Sequence, residues 1–462
     1  MEFRLTETNK GKKSLVYEGY TFRVDRALAS GDLSWRCTSK QCTARLKTDP
    51  EISTILHGNS EHSHEENKRK VERQVIRAAV KRKASSDIST RPMKLVRTEL
   101  QNVGEESLLE KDLKSLTMAI YRERRKVYPA LPKSRADVHD TLDVLKIETN
   151  KNEEFCLVND KDHGIVIFSC NANLVALCTQ VSEIFVDGTF KCCPKYFEQL
   201  YTIHGFNKGH YVPLVYALLP AKTEDVYTTL LRMILDLCSS KEMMLSLSLV
   251  HTDFELAMHN ALRKVFPSAQ IQCCRFHLGQ SWWRQIQKLG LGSLYKDRNS
   301  DVSSWLSQFF GLAFFSPSEV GDCFAEVLMA DIPDDDRCVK FADYIVDNYI
   351  SSESSFPPNL WASIPSTEAR RTTNGPESFH AHYNAQFYSA HPSMFLFLDN
   401  ILKLQATTYI KLRGIESQAV LRKSEKEKND YLIAQFRKYE DGGDRRQFLK
   451  AIRLKYFART DL

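Results

Sequence analysis

The sequence lacks any long apolar run. No window of its 462 residues approaches the roughly 18 consecutive apolar residues of a membrane-spanning helix, and its first ten residues lack the apolar core of a signal peptide. We therefore expect a soluble intracellular protein with no membrane partner. A large charge imbalance is absent as well, because the formal net charge is only +6. The positions of charged clusters are consequently more informative than the total.

Disulfides are also not expected, although the chain has 12 cysteines, because thiols of intracellular proteins usually stay reduced or bind metal. Half of the cysteines stand singly, mostly in apolar stretches, where a buried small hydrophobic residue is the expected role. These are Cys156, Cys170, Cys178, Cys238, Cys323 and Cys338.

The length exceeds what one hydrophobic core usually supports, so two or more domains are expected.

A small β-rich module is predicted over residues 1–64. Short stretches with alternating aromatic and β-branched residues are separated by turn residues, which is typical of strands. A sheet of this size has too little core to be stable without a staple. Cys37, Cys42, His62 and His64 provide two thiolates and two imidazoles, a complete set for structural Zn²⁺. His57 is a competing ligand, but it lies closer to a predicted strand than to the loop of the other histidines.

With Leu15, Tyr17, Tyr20 and Trp35, these four ligands resemble a FLYWCH-type zinc finger. Fingers of that family bind DNA or, less often, protein. The resemblance therefore implies that basic residues of the module contact DNA, and the candidates are Arg23, Arg26, Arg36, Lys40, Arg45 and Lys47.

A basic helical connector is predicted over residues 65–104, where apolar residues recur at helical spacing between Val71 and Ala84. Two interpretations remain open, a helix that lies on DNA phosphates or a solvated linker with a nuclear-import patch. Its candidate DNA contacts are Lys68, Arg69, Lys70, Lys81, Arg82 and Lys83. Residues 105–150 are predicted to continue as a helical segment that leads into the next domain and packs as part of it.

Three acidic residues further along the chain could hold metal. Asp187 and Asp253 each stand where an apolar run breaks off, and Glu377 follows far downstream at the start of a predicted helix. Carboxylates at strand ends, joined by one from a helix, can form an all-oxygen site for Mg²⁺ or Mn²⁺. Two such ions suit the cleavage and joining of phosphodiesters.

The pattern around the two aspartates predicts an α/β core. Three strands in succession, followed by helix, strand, helix and strand, are the order of a ribonuclease-H-like fold. We expect this core to occupy residues 151–400, with a helical insertion at about 278–365 and a charged helical C-terminus over 401–462. The protein is thus predicted to be multidomain.

The core also resembles the transposase domain of Mutator-like elements (MULE). The resemblance rests on four motifs in order, around Asp187, over Tyr211–Pro220, around Asp253, and at Cys274-Arg-Phe-His277. It implies a catalytic triad of Asp187, Asp253 and Glu377, with Cys274 and His277 as a structural or DNA-proximal pair. The acids at 334–336 and at 368 are rivals of Glu377.

The resemblance implies a nuclear DNA transposase. Its partners would be the transposon terminal repeats and target DNA, and it would act as a homo-oligomer on DNA. Two alternatives remain open. The chain could be a domesticated, catalytically silent DNA-binding regulator of transcription, or a zinc-finger scaffold for protein interactions, whose affinity for DNA would not fall as salt rises.

Overall fold

A computed structural model describes residues 3–8, 11–59, 61–103, 106–181, 183–365, 374–419 and 423–456. The contacts divide the chain into two units, Met1–Leu131 and Pro132–Leu462. None of the helices in the described ranges combines the length and the apolar character that crossing a bilayer requires.

The first unit begins with a six-stranded antiparallel sheet whose strands are neighbours in chain order. Its buried face carries Leu15, Phe22, Trp35 and Leu46, together with two cysteines. This confirms the predicted β-rich module. The strands are β1 (Arg4–Glu7), β2 (Lys13–Tyr17), β3 (Tyr20–Ala27), β4 (Leu33–Cys37), β5 (Arg45–Thr48) and β6 (Ile55–Asn59).

Three helices complete this unit: α1 (Lys68–Ser86), α2 (Pro92–Val103) and α3 (Glu110–Val127). The predicted basic helix is α1, and its apolar side packs against α2 and α3. Helix α3 was expected to pack in the next domain, and this expectation was wrong. Its Leu116 and Ile120 are buried against α1, because α1 presents a matching apolar side.

Asp112 joins α3 to α1 through a buried ion-pair network. Its side chain is 1% exposed, and its two oxygens accept hydrogen bonds from Arg69 Nε at 2.8 Å and from Arg73 Nη1 at 3.3 Å. It also accepts a hydrogen bond from the backbone N–H of Leu109. The hydrogen bond from Arg69, with these others, lowers the pKa of Asp112 to about 2.

The Asp112→Asn variant should lower the free energy of unfolding of this unit by about 2–3 kcal/mol, because it leaves two arginines without their buried counter-charge. The folded-state pKa of Asp112 lies below the usual value, so its contribution is complete above about pH 4 and is lost as the pH falls towards 2. Urea denaturation at pH 7 and pH 3 measures both effects. Asp25→Asn, which removes an exposed partner of Arg45, is the matched control and should cost less than about 1 kcal/mol. Equal losses in the two variants would contradict the assigned role of Asp112.

The second unit begins with the strands and helices of a seven-stranded mixed sheet. They are α4 (Arg135–Val144), β7 (Cys156–Asp160), β8 (Ile165–Phe168), α5 (Asn171–Thr179), β9 (Glu183–Thr189), β10 (Gln199–Asn207), β11 (His210–Leu219), α6 (Glu224–Ser239), β12 (Leu249–Thr252), α7 (Leu256–Val265) and β13 (Gln270–Cys273). The strand order is β13-β12-β9-β10-β11-β8-β7. Strands β9, β10 and β11 are antiparallel neighbours, whereas β12 is parallel to β9 and β13 is parallel to β12. The strands and helices predicted from β8 to β13 are confirmed, whereas β7 was not predicted.

Sequence and burial explain these elements. The strands β10 and β11 are almost wholly buried, which accounts for their near-continuous apolar runs. Helix α6 begins where the Thr223 hydroxyl accepts a hydrogen bond from the Val226 N–H, with acidic residues in its first turn, as expected at a helix N-terminus. The sheet and its flanking helices share one hydrophobic core.

The chain then builds a second, mostly helical core, as predicted for the insertion. Trp282, Trp283, Trp305 and Phe309 are buried in it, and the C-terminal helices contribute to the same core through Leu432, Phe436, Phe448, Leu449 and Ile452. The helices that follow β13 are α8 (Arg275–Lys288), α9 (Gly292–Lys296), α10 (Asp301–Phe309), α11 (Val320–Cys323), α12 (Asp336–Ile345), α13 (Asn374–Ala385), α14 (Met394–Gly414), α15 (Lys423–Glu440) and α16 (Arg445–Ile452). Of these, α13 and α14 contact the mixed sheet and contribute no residue to the second core. Short turns of 3-10 or π geometry lie at Leu312–Phe314, Pro317–Glu319, Phe324–Leu328, Val346–Ile350 and Pro358–Leu360.

Candidate metal centres

The N-terminal centre brings together the four ligands predicted from the sequence. Potential ligand atoms of Cys37, Cys42, His62 and His64 all lie within 4.8 Å of one another. Cys37 Sγ is 3.3 Å from His64 Nε2, and Cys42 Sγ is 3.3 Å from His62 Nδ1. With bond lengths of about 2.0–2.3 Å, ligand atoms of a tetrahedral zinc site lie roughly 3.3–3.8 Å apart. The two measured pairs have this spacing, and the cluster therefore fits Zn²⁺. The competing ligand His57 lies on β6 opposite Lys47 and outside the cluster.

Surrounding groups prepare these ligands for a cation. His64 Nδ1 is 2.9 Å from the carbonyl oxygen of Glu65, and a proton on that nitrogen leaves Nε2 as the ligand. The ring of His62 stacks on Tyr20 with centroids 3.5 Å apart. Burial opposes ionisation of Cys42, but hydrogen bonds from backbone N–H groups of Ala44 and Ser63 outweigh it and lower the pKa of Cys42 to about 7. A thiolate at neutral pH is the form that binds zinc.

The exposed side of the finger sheet carries a row of arginines. Arg23 on β3 lies opposite Arg36 on β4, which in turn lies opposite Arg45 on β5. Directly opposed residues share one face of an antiparallel sheet, and like charges at opposed positions destabilise the sheet. Asp25 compensates in part through its ion pair with Arg45 at 3.2 Å. We call Arg23, Arg36 and Arg45 the arginine row.

The other basic candidates differ in whether they form ion pairs or hydrogen bonds within the first unit. Arg69 pairs with Asp112, Lys81 with Glu7 and Glu123, and Lys83 with Glu99. Lys68 pairs with Glu66, and Lys70 donates a hydrogen bond to the Thr38 hydroxyl. Lys40, Arg82, Arg26 and Lys47 are exposed.

The second centre lies at one end of the mixed sheet. Asp187 is in β9, Asp253 directly follows β12, and Glu377 is in the first turn of α13. Since β9 and β12 are parallel neighbours, both aspartates emerge towards the same sheet end. Helix α13 packs against β9 and β11. Its backbone lies close to β11 at Gly375, where a Cβ atom would lie 2.2 Å from the Tyr211 ring.

Electrostatics couple the members of this centre. Burial raises the pKa of Asp253 to about 6, the charges of Glu255 and Asp187 add to the rise, and His277 opposes it. Burial alone would lower the pKa of His277, but Cys274, Asp187 and Glu377 outweigh it and raise that pKa to about 9. His277 is therefore coupled to both aspartates and to Glu377. The potential ligand atoms of Asp187, Asp253 and Glu377 do not all lie within 4.8 Å of one another, whereas those of Cys274, His277 and Glu377 do.

Sequence reasoning missed the residue that holds Asp187. Asp187 is a buried residue that is 7% exposed, and its Oδ2 lies 3.0 Å from His380 Nδ1. His380 Nε2 lies 2.9 Å from the Thr202 hydroxyl, which in turn lies 3.1 Å from His204 Nε2. A spacing of three residues between Glu377 and His380 puts both on one helix face, so the motif Glu-x-x-His was the available signal.

Three of the four rival acids lie at the start of α12. Asp335 accepts a hydrogen bond from the Arg337 backbone N–H there and pairs with the Arg337 side chain. Asp334 and Asp336 are its neighbours in the same loop and helix start. The fourth rival, Glu368, lies outside the described residues.

Comparisons with known families agree with the two resemblances. Residues 5–64 match the family model of the FLYWCH zinc finger domain, and residues 183–281 match that of the MULE transposase domain. A search of curated proteins found no match to this chain. The second match includes Asp187, Asp253, Cys274 and His277 but ends before Glu377. The chain thus has a FLYWCH zinc finger followed by a MULE transposase domain.

Proposed function

We propose that this chain, with its FLYWCH finger and MULE domain, is a DNA transposase or a close derivative of one. It would bind transposon ends through the finger and cut and join DNA phosphodiesters at the second centre. The observation that carries this proposal is the position of Asp187 and Asp253 at one end of the mixed sheet, with His277 electrostatically coupled to both aspartates and to Glu377. A nuclear location and a homo-oligomeric state on DNA are parts of the same proposal.

The sheet supports a ribonuclease-H-like catalytic core. Strands β9, β10 and β11 are antiparallel, and β12 and β13 add in parallel on the β9 side. Asp187 is on the first of these five strands, and Asp253 follows the fourth. We assign this core to residues 151–400, with the helical insertion at about 278–365.

The donor atoms fit hard divalent cations. Three carboxylates offer oxygen ligands, which Mg²⁺ and Mn²⁺ prefer, and among the described residues no hydrogen bond to the Asp253 carboxylate competes for its oxygens. Asp187 would contact both ions, and Asp253 and Glu377 would each hold one. When bound, such ions activate an attacking oxygen and stabilise the leaving one.

The protein's own part in this chemistry is to fix the carboxylates. His380 holds Asp187 Oδ2, and the Thr202 hydroxyl holds His380 from the other side. These partners are buried, so the Asp187 side chain cannot rotate without breaking its contact with a fixed His380. A ligand fixed in advance loses little entropy when the cation binds.

A cationic and aromatic pair stands beside the acids. Lys222 Nζ lies 3.9 Å from the centroid of the Phe190 ring, which is 43% exposed. The charge of Lys222 lowers the pKa of Asp253 and of Glu255, although burial dominates both values. An ammonium group and an exposed ring suit a phosphate and a base of a DNA strand, respectively.

The arginine row is the proposed DNA contact of the finger. The Arg36→Ala variant should weaken binding to DNA of any sequence and lower the slope of log affinity against log salt by about 1, because one phosphate contact is lost. Binding titrations at several salt concentrations measure the slope.

Lys83→Ala is the matched comparison for Arg36, since Lys83 already pairs with Glu99. We expect it to change the slope less. If both variants keep the slope of the unaltered chain, the arginine row does not contact phosphates. A DNA affinity that is independent of salt would favour the protein-interaction scaffold instead.

The test of the proposed function is a cleavage assay on DNA that carries the element's own ends, with Mg²⁺ or Mn²⁺. The unaltered chain should cut at the ends, and the Asp253→Ala chain should bind the same DNA without cutting it. A chain that binds these ends but leaves them intact with either ion would be the silent regulator rather than an active transposase.

A further inference from the structure

We propose that Cys274, His277 and Glu377 form a second zinc site, whose donors include sulfur and nitrogen, unlike the all-oxygen donors of the hard-cation site of the three acids. Potential ligand atoms of these residues all lie within 4.8 Å of one another. Two of them come from the start of α8 and the third from α13, so the fold brings them together across 103 residues of chain. The inference goes beyond the proposed transposase chemistry and does not depend on it.

The distances suit a zinc ion. Glu377 Oε1 is 3.8 Å from Cys274 Sγ and 3.8 Å from His277 Nε2. Ligand atoms around tetrahedral zinc lie roughly 3.3–3.8 Å apart, so a small inward movement of the side chains closes the site. A direct hydrogen bond between an imidazole and a carboxylate would be shorter than 3.8 Å, and a hydrogen-bonded pair alone therefore accounts poorly for this geometry.

The donor chemistry favours zinc over magnesium. A thiolate, an imidazole and a carboxylate are ligands of borderline-soft cations, whereas Mg²⁺ binds oxygen. His277 turns Nε2 towards Glu377, so Nε2 would be the ligand. Its buried Nδ1, which has no hydrogen-bond partner among the described residues, would keep the proton of the neutral ring.

The site is open on one side. Cys274 is 2% exposed, but the side chains of His277 and Glu377 are each 22% exposed. Three protein ligands with solvent access leave a fourth position for water or a DNA oxygen, which is the arrangement of zinc sites that take part in reactions. Glu377 also belongs to the proposed triad, so the zinc ion and a hard cation of the triad would share its carboxylate. Only this sharing rests on the proposed function.

The test counts zinc in the full chain after saturation with Zn²⁺ and removal of unbound metal. The unaltered chain should hold about two zinc ions, one in the finger and one at the second site, and Cys274→Ala should hold about one. Cys273→Ala is the matched control, because Cys273 is the adjacent buried thiol and lies outside the ligand set. It should keep about two ions. Glu377→Gln should lower the count without removing a buried side chain.

Reconstitution with Co²⁺ gives a second readout. Thiolate-to-cobalt absorption should be weaker in Cys274→Ala than in Cys273→Ala. One zinc ion in the unaltered chain, or an equal loss from both cysteine variants, would overturn the proposal. The zinc count is independent of DNA cleavage. A chain that binds one zinc ion would contradict the second zinc site and leave the transposase proposal unaffected. A chain that binds two zinc ions but does not cleave DNA would contradict the transposase proposal and leave the second zinc site unaffected.

Discussion

Replacing Asp187 with asparagine should lower the rate of Mg²⁺- or Mn²⁺-dependent DNA cleavage by at least about 10³-fold, which corresponds to about 4 kcal/mol of activation free energy. The amide keeps the size of the side chain and can still contact His380, but it lacks the charge that holds a divalent cation. Single-turnover cleavage of end-containing DNA, measured with saturating protein, separates this loss from any change in DNA affinity.

Glu183→Gln is the matched control for this effect. Glu183 lies on the same strand as Asp187 but pairs with His251 at 3.1 Å, so cleavage should stay within about threefold of the unaltered rate. His380→Asn should fall between the two variants, because the Asp187 carboxylate remains but loses its support. Cleavage at the normal rate by Asp187→Asn would remove Asp187 from the proposed site.

Removing zinc from the finger should unfold the N-terminal sheet. Structural zinc in small fingers contributes apparent binding free energies of about 10–16 kcal/mol at pH 7, and here the buried core around the ligands is only seven residues, two of which are the cysteine ligands themselves. Cys37→Ala should therefore remove the amide protection of β2–β5 in hydrogen exchange and abolish binding through the arginine row.

Cys323→Ala provides the comparison for this variant. Cys323 is also fully buried, but it lies in the helical core and outside the described ligand sets. It should lower stability there and leave exchange in the finger unchanged. Protection of β2–β5 that survives both Cys37→Ala and a chelator would mean that the sheet is stable without metal.

Local patterns predicted the parts of each site that are close in sequence. The zinc ligands of the finger lie within one module, and Asp187 and Asp253 follow apolar runs that could be recognised as strands. Glu377 could be proposed mainly from family resemblance and a predicted helix start, because nothing in its own sequence neighbourhood shows which sheet end it reaches. The structure brings it beside Cys274 and His277, a contact that depends on the packing of the intervening helices.

Packing partners were the least predictable feature. The apolar side of α3 was visible in the sequence, but its partner was not, since a stripe such as Leu116 and Ile120 fits any complementary surface. Helix α3 therefore appeared to belong to the next domain, whereas α1 supplies its partner. Likewise, His380 and Thr202 are far apart in the chain, and only tertiary structure joins them.

The separate helical core has a consequence for the timing of activity during synthesis. When a ribosome has released the chain as far as Cys274, both aspartates can already occupy their sheet, but Glu377 is 103 residues away. The helix that carries Glu377 is synthesised only after the helices α8 to α12. A nascent chain therefore has two acids of the centre long before the third.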